Sequence, residues 1–278
     1  MELGIQAVVL NKDLKWNINF NIAANKNKVL DLGPVTQILT GEINGYLKIN
    51  DPVVIMPGEP LNSFYGYVSD GIFQTGEDIA NSPQKTAVAG DRKYKDLNGD
   101  GVLDAKDRQF IGNAQPKFFG GFTNDFSYKG FDLSASFNYV YGNKILNSTR
   151  ADLDLPTGQK NSSARVKDRW TPTNPSNSIP RATLNRAFLF SDAQIEDGSF
   201  LRLGSLSLGY NFPSSWLKKS GISNAKLYVS GQNLFVITKY TGFDPETNQS
   251  GQNNILRGID SDSYPNSRSF LVGINLSF

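Results

Sequence analysis

The sequence predicts an all-β fold, an antiparallel transmembrane β-barrel segment of about seven strands with long extracellular loops. Three observations predict it. In the last twelve residues, Ser267 to Phe278, Phe270, Val272, Ile274, Leu276 and Phe278 alternate with Ser269, Leu271, Gly273, Asn275 and Ser277, and a period of two marks a strand with unlike faces. The pattern recurs in six further segments. The connections alternate short and long, as they do when turns lie on one side of a membrane and loops on the other.

Residues 3 to 9 set Leu3, Ile5, Ala7 and Val9 on one face, and after Asn11-Lys12-Asp13 the next strand opposes Leu14, Trp16, Ile18, Phe20, Ile22 and Ala24 to Lys15, Asn17, Asn19 and Asn21. Residues 118 to 128 carry Phe118, Phe122, Phe126 and Tyr128 against Thr123, Asp125 and Ser127. Lys129-Gly130 reads as a two-residue hairpin turn. It leads to Phe131, Leu133, Ala135, Phe137, Tyr139 and Tyr141 opposite Asp132, Ser134, Ser136 and Asn138. In 199 to 212 the apolar face reads Phe200, Leu206, Leu208, Tyr210 and Phe212, with Arg202 intruding near one end. Residues 225 to 236 switch phase between Leu227, Val229 and Leu234, Val236, which predicts a bulge near Gly231.

Short connections at 10–13, 129–130 and 213–223 alternate with long ones at 26–117, 143–198 and 238–266, which are rich in Asn, Asp, Gly, Pro and Ser. Aromatic girdles are expected at Trp216, Phe212, Phe131 and Tyr128 on one rim and at Tyr139, Tyr141 and Phe200 on the other.

Composition narrows function. Hydrophobic residues make up 38% of the 278, mean hydropathy is −0.36, and no run approaches the roughly 20 apolar residues of a spanning helix. Net charge is +2 with basic residues scattered, which argues against nucleic acid as a partner. Cysteine and histidine are both absent. That removes thiol nucleophiles, Ser-His-Asp triads and the commonest metal ligand together, and no enzymatic activity is expected.

The segment Asp96-Leu97-Asn98-Gly99-Asp100-Gly101-Val102-Leu103-Asp104-Ala105-Lys106-Asp107 fits a calcium loop of the EF-hand type. Asp96, Asn98 and Asp100 fall at loop positions 1, 3 and 5, and Gly101 gives the sharp turn at 6. Val102 offers its carbonyl at 7, Asp104 sits at 9, and Asp107 closes at 12 in place of the usual Glu. The flanks do not read as paired helices, so a free-standing structural Ca²⁺ loop is expected.

Further segments run in a telling order. They are Gly58-Glu59-Pro60-Leu61-Asn62-Ser63-Phe64-Tyr65-Gly66-Tyr67, Asp70-Gly71-Ile72-Phe73-Gln74 and Phe110-Ile111-Gly112-Asn113. After them come Glu196-Asp197-Gly198-Ser199-Phe200-Leu201-Arg202-Leu203, Gly231-Gln232-Asn233-Leu234-Phe235 and Tyr240-Thr241-Gly242-Phe243-Asp244-Pro245-Glu246. In this order they resemble the SusC/RagA-type TonB-dependent outer-membrane transporters of the Bacteroidota. The resemblance implies a large barrel with a plug, a SusD-type surface lipoprotein as lid, contact with the TonB complex through an N-terminal part, and oligosaccharide or peptide cargo. It places the protein in the bacterial outer membrane, against lipid. Seven strands cannot close such a barrel, so residues 1–278 are expected to be the C-terminal part of a larger one. The rivals are a secreted, soluble, calcium-stabilised carbohydrate-binding β-sandwich and a small barrel with an eighth strand around Gly45 to Val54. An enzyme using Asp104 or Asp107 is the weakest option.

Overall fold

The structure is a computed structural model of the chain and describes all residues except 45–46, 156–160, 185–187, 219–220, 248–250 and 252. In chain order the strands are β1 (Glu2–Asn11), β2 (Leu14–Ala23), β3 (Ile38–Asn44), β4 (Lys48–Ile55), β5 (Ser63–Gly66), β6 (Ser69–Ile72), β7 (Arg92–Tyr94), β8 (Gln109–Asn113), β9 (Phe118–Tyr128), β10 (Phe131–Tyr141) and β11 (Lys144–Asn147). Helix α1 (Ser148–Leu153) follows. Then come β12 (Ile195–Asp197), β13 (Phe200–Asn211), the short helix α2 (Ser214–Leu217), β14 (Asn224–Thr238), β15 (Ile259–Asp260) and β16 (Ser269–Ser277).

The seven amphipathic segments form one sheet in the order β1-β2-β9-β10-β13-β14-β16. Every pairing in it is antiparallel. Lys129 and Gly130 both take positive φ, 46° and 87°, as a two-residue turn matched to strand twist requires. One face carries an aromatic ladder that crosses strands: Trp16 stacks on Phe126, Phe122 on Phe137 at 4.7 Å, and Phe118 on Tyr141 at 4.8 Å. Such cross-strand pairs contribute roughly 0.2–1 kcal/mol each. Asn124 lies in this face, where the Trp16 indole N–H donates to its side-chain Oδ1. At one end of the sheet, three of the four aromatics expected on one rim meet, but through Tyr210, as the chain Phe131–Tyr210–Phe212–Trp216, without Tyr128.

The transmembrane-barrel reading is overturned. The sheet is open: among the described residues no pairing joins β1 to β16 or closes the strand order. Alternation fixes that a strand has two unlike faces; it fixes neither curvature nor closure. No helix of the described residues is long and apolar enough to cross a membrane, a statement about helices alone. A sandwich would need a second sheet over the apolar face, yet Val229, Phe270, Val272 and Ile274 remain exposed there.

The segments expected as bare loops carry three further sheets, β3-β4-β5-β8, β12-β11-β15 and the ribbon β6-β7. All pairings in them are antiparallel except the two-residue β11–β15 match. The main buried cluster is here as well, with Ile43, Ile49, Val53, Phe64, Leu146, Phe190 and Ile259 packed together. Burying each of the larger ones is worth about 1.5–3 kcal/mol. The proposed eighth strand exists in part as β4, but it pairs within its own four-stranded sheet; Gly45 lies outside the described residues.

Two bulges correct the phase of β13 and β14. Between Ser205 and Leu203 the strand β13 spends two steps against one on β10, so Gly204 is extra. Leu203 and Leu201 therefore join Leu206, Leu208 and Tyr210 on the apolar face. Phe200 and Arg202 fall on the other side. Against β13, β14 spends an extra residue at Asn233–Leu234, with Asn233 at φ 52°. The bulge lies just past Gly231, where Leu234 Cδ2 would stand 2.7 Å from any Cβ. Consequently Phe235 and Ile237, not Leu234 and Val236, continue the apolar face of Leu227 and Val229, and Phe235 packs edge-on to Phe137.

Candidate functional site

The acidic loop folds as a series of turns held by its own carboxylates. Asp96 accepts the backbone N–H groups of Gly99 (2.7 Å) and Gly101 (2.8 Å), while Gly99 and Gly101 take φ of 74° and 78°. Asp100 accepts from the Val102 amide and from the Asn98 side chain. Asp104 caps the one-turn 3₁₀ helix Ala105–Asp107 by accepting from Lys106 N–H. Asp107 is fully buried and accepts from Leu97 N–H at 2.9 Å and Asp104 N–H at 2.8 Å. Burial pushes its pKa up, but the amides of Asp104, Leu97 and Asn98 outweigh that and hold it below the ordinary carboxylate value.

Asp96, Asn98, Asp100, Val102, Asp104 and Asp107 are thus gathered into one short loop. Among the described residues, however, no three acidic side chains converge as a metal-holding group. The ammonium of Lys106 lies 3.9 Å from Asp100 and 3.8 Å from Asp104. The donor chemistry is that of a hard cation: carboxylate, amide and carbonyl oxygens, with a second lone pair left on each oxygen that already accepts one amide.

A second assembly fastens the 240–247 segment to the polar side of the sheet. Arg202 Nη2 donates to Asp244 Oδ1 at 2.6 Å and Arg202 Nε stands 2.8 Å from Glu246 Oε2. Asn266 donates to the other Asp244 oxygen at 2.7 Å. Arg202 and Asp244 are both buried. Next to them, Arg150 Nη1 pairs with Glu196 Oε1 at 2.7 Å, and Glu196 also accepts from Thr241 N–H, Thr241 Oγ1 and Asn147 Nδ2. Tyr240 donates its hydroxyl to Asp260. Burial first, then that bond and the charge of Asp260, push the Tyr240 pKa far above its usual 10.

Sequence reasoning took Arg202 for an intruder on the apolar face. The available signal was the pair Asp244 and Glu246, two carboxylates two residues apart, for which a strand cation is the natural counter-charge. Arg150, Glu196 and Asp260 belong to separate segments, and only the tertiary fold brings them together.

No family model matches the chain. It is 38% identical over 280 residues to TonB-dependent receptor P3 of Formosa agariphila, spanning 97% of this chain and 27% of that protein. Against TonB-dependent receptor P26 of the same organism it is 34% identical over 278 residues, again 97% of the chain and 28% of the relative. Against TonB-dependent receptor SusC of Bacteroides thetaiotaomicron the identity is 27% over 298 residues, all of this chain and 26% of the relative. Among solved structures, the RagAB peptide transporter superposes on the whole chain with a TM-score of 0.80 at 26% identity, over 28% of the matched chain. The chain thus spans somewhat more than a quarter of the length of these relatives. They are transport proteins, not enzymes. Homology along almost its whole length ties this chain to the SusC/RagA family of TonB-dependent transporters.

Proposed function

We propose that the chain works as the C-terminal part of a TonB-dependent outer-membrane importer of oligosaccharides or peptides, beneath a SusD-type lipoprotein lid. The observation that carries this is the match to the RagAB peptide transporter over every part of the chain, small sheets included. The two faces of the large sheet fit the role. Its polar face, with Asn17, Asn19, Asn21 and Ser207, suits contact with a polar cargo, and its exposed apolar face suits an apolar partner surface. Segments 26–117, 143–198 and 238–266 would look outward toward cargo and lid. Uptake of fluorescently tagged oligosaccharides and peptides by cells carrying the full-length protein tests the reading. Uptake should stop when the gene is deleted or TonB is removed; uptake that persists in both cases overturns it.

The loop 96–107 is proposed to hold one Ca²⁺ through Asp96, Asn98, Asp100, the Val102 carbonyl, Asp104 and Asp107. Bound there, calcium would cross-link a loop that is otherwise held by amide hydrogen bonds and the Lys106 ammonium. The support is the register of donors and the two positive-φ glycines. Calorimetric titration with CaCl₂ should give a Kd on the order of 10⁻⁴ M, abolished by Asp96→Ala. The absence of calcium heat in the unmutated protein overturns the proposal.

A further inference from the structure

A cavity of about 360 Å³ lies between β7, α1 and the one-turn helix Asp192–Gln194. Arg92, Arg150 and Arg165 line it, together with two carboxylates, Asp154 and Asp192. Most of these charges are already matched. Arg150 is taken by Glu196 and by the Ala193 carbonyl at 2.9 Å, and Arg165 by Asp154 at 3.1 Å. Asp192 accepts the Ser69 N–H at 2.8 Å.

Arg92 differs. Its two Nη atoms donate to neutral oxygens, Ser69 Oγ at 2.9 Å and the Ser178 carbonyl at 2.6 Å, and no carboxylate of the described residues lies within ion-pair distance of it. A guanidinium has five N–H donors in one plane, so donors remain for something in the cavity. Burial lowers the Arg92 pKa from its ordinary value, with Tyr94 and Asp192 pulling the other way. A half-buried cation whose only partners are neutral oxygens carries an uncompensated charge. An anion entering the cavity would remove that cost.

We infer that this cavity receives a carboxylate group of the cargo, with the Arg92 fork as its principal ligand. The planar, two-pronged geometry of guanidinium matches carboxylate. The Asn177 and Gln194 amides on the wall can bond to the rest of the group. The volume is at the lower end for ligand sites and admits a single terminal residue or sugar ring, so the cavity would read one end of an oligomer. The cargo itself rests on the import reading; the carboxylate preference does not.

The test is calorimetric binding to the purified protein of triglutamate against triglutamine, and of trigalacturonate against maltotriose. At least one acidic probe should bind about tenfold or more tightly than its neutral counterpart, as charge-assisted bonds imply. Preference for triglutamate identifies an acidic peptide, and preference for trigalacturonate an acidic glycan. Arg92→Met should abolish the difference and Arg92→Lys should retain only part of it. Asn177→Asp keeps the size of the side chain and its acceptor toward Gln74, leaves Arg92 in place, and should weaken acid binding about tenfold by repulsion. Neutral probes binding as tightly as acidic ones, or acid affinity unchanged by both Arg92→Met and Asn177→Asp, overturns the inference. Uptake of tagged cargo in the same variants separates the two readings: loss of acid preference with neutral uptake intact touches the cavity alone.

Discussion

Replacing Arg202 with Leu should release the 240–247 segment from the polar side of the sheet. Arg202 is 5% exposed and Asp244 7%, so the change strands a buried carboxylate that keeps only the Asn266 amide and the Glu246 N–H as partners. Removing one member of such a pair costs about 3–5 kcal/mol. Glu246, with 41% of its side chain exposed, adds little because solvent screens it. Taking about 3 kcal/mol, the segment should open roughly a hundredfold more often, since 1.4 kcal/mol is tenfold. Hydrogen exchange reports this directly. The Glu246 amide, bonded to Asp244 at 2.9 Å, should lose about two orders of magnitude of protection while strand amides of β9 and β10 keep theirs. Asp244→Asn added to Arg202→Leu should cost much less than the sum of the two single changes, because the second removes the orphaned charge. Unchanged protection at Glu246, or strictly additive effects, would refute the buried-clamp account.

Tyr240→Phe removes the hydroxyl bonded to Asp260. Because the folded state holds this proton more tightly than the unfolded chain, its contribution is complete below pH about 10 and declines as pH rises above it. Hydrogen exchange at Thr241 should accelerate above pH 10 beyond the intrinsic rate, and the Phe variant should lack that extra acceleration. Gly120→Ala would set a Cβ 2.1 Å from the Asn21 carbonyl oxygen, so β2 and β9 must part. A loss of about 1–3 kcal/mol, read as a lower midpoint in denaturant, is expected; an unchanged midpoint would show that the pairing can shift without cost.

What could be read in the sequence was whatever repeats every second residue. Strands β1, β2, β9, β10 and β16 follow from alternation, and the Lys129-Gly130 turn follows from its glycine, the residue that tolerates positive φ. Phase failed where the ladder slips. The extra Gly204 moves Arg202 to the polar side, and the positive-φ Asn233 lets Leu227, Val229, Phe235 and Ile237 share a face that counting by twos divides. The small sheets left no alternation to find. In β4 the run Pro52-Val53-Val54 is buried on both sides, β5 and β6 are four residues long, and β15 is two. The acidic loop was legible because its donors are consecutive. The Arg202–Asp244 and Arg150–Glu196 pairs were not, since each joins residues more than 40 positions apart.

The distribution of buried residues implies a division of labour. The seven-stranded sheet buries little: β1 and β16 are exposed along most of their length, and cross-strand aromatic pairs at a few tenths of a kcal/mol each cannot alone offset the entropy of ordering its 78 strand residues at about 1 kcal/mol or more apiece. The apolar face therefore needs an apolar medium or another surface against it, and the open edges need partners. The segments between the strands of that sheet hold the clustered core around Phe64 and Leu146 and the buried ion pairs, so much of their order is internal. In water alone, hydrogen exchange should then find β1 and β16 nearly unprotected while amides at Phe64 and Leu146 exchange slowest. The reverse order of protection would mean that the sheet organises the rest, and that the polar-side clamps are consequences of its fold, not independent anchors.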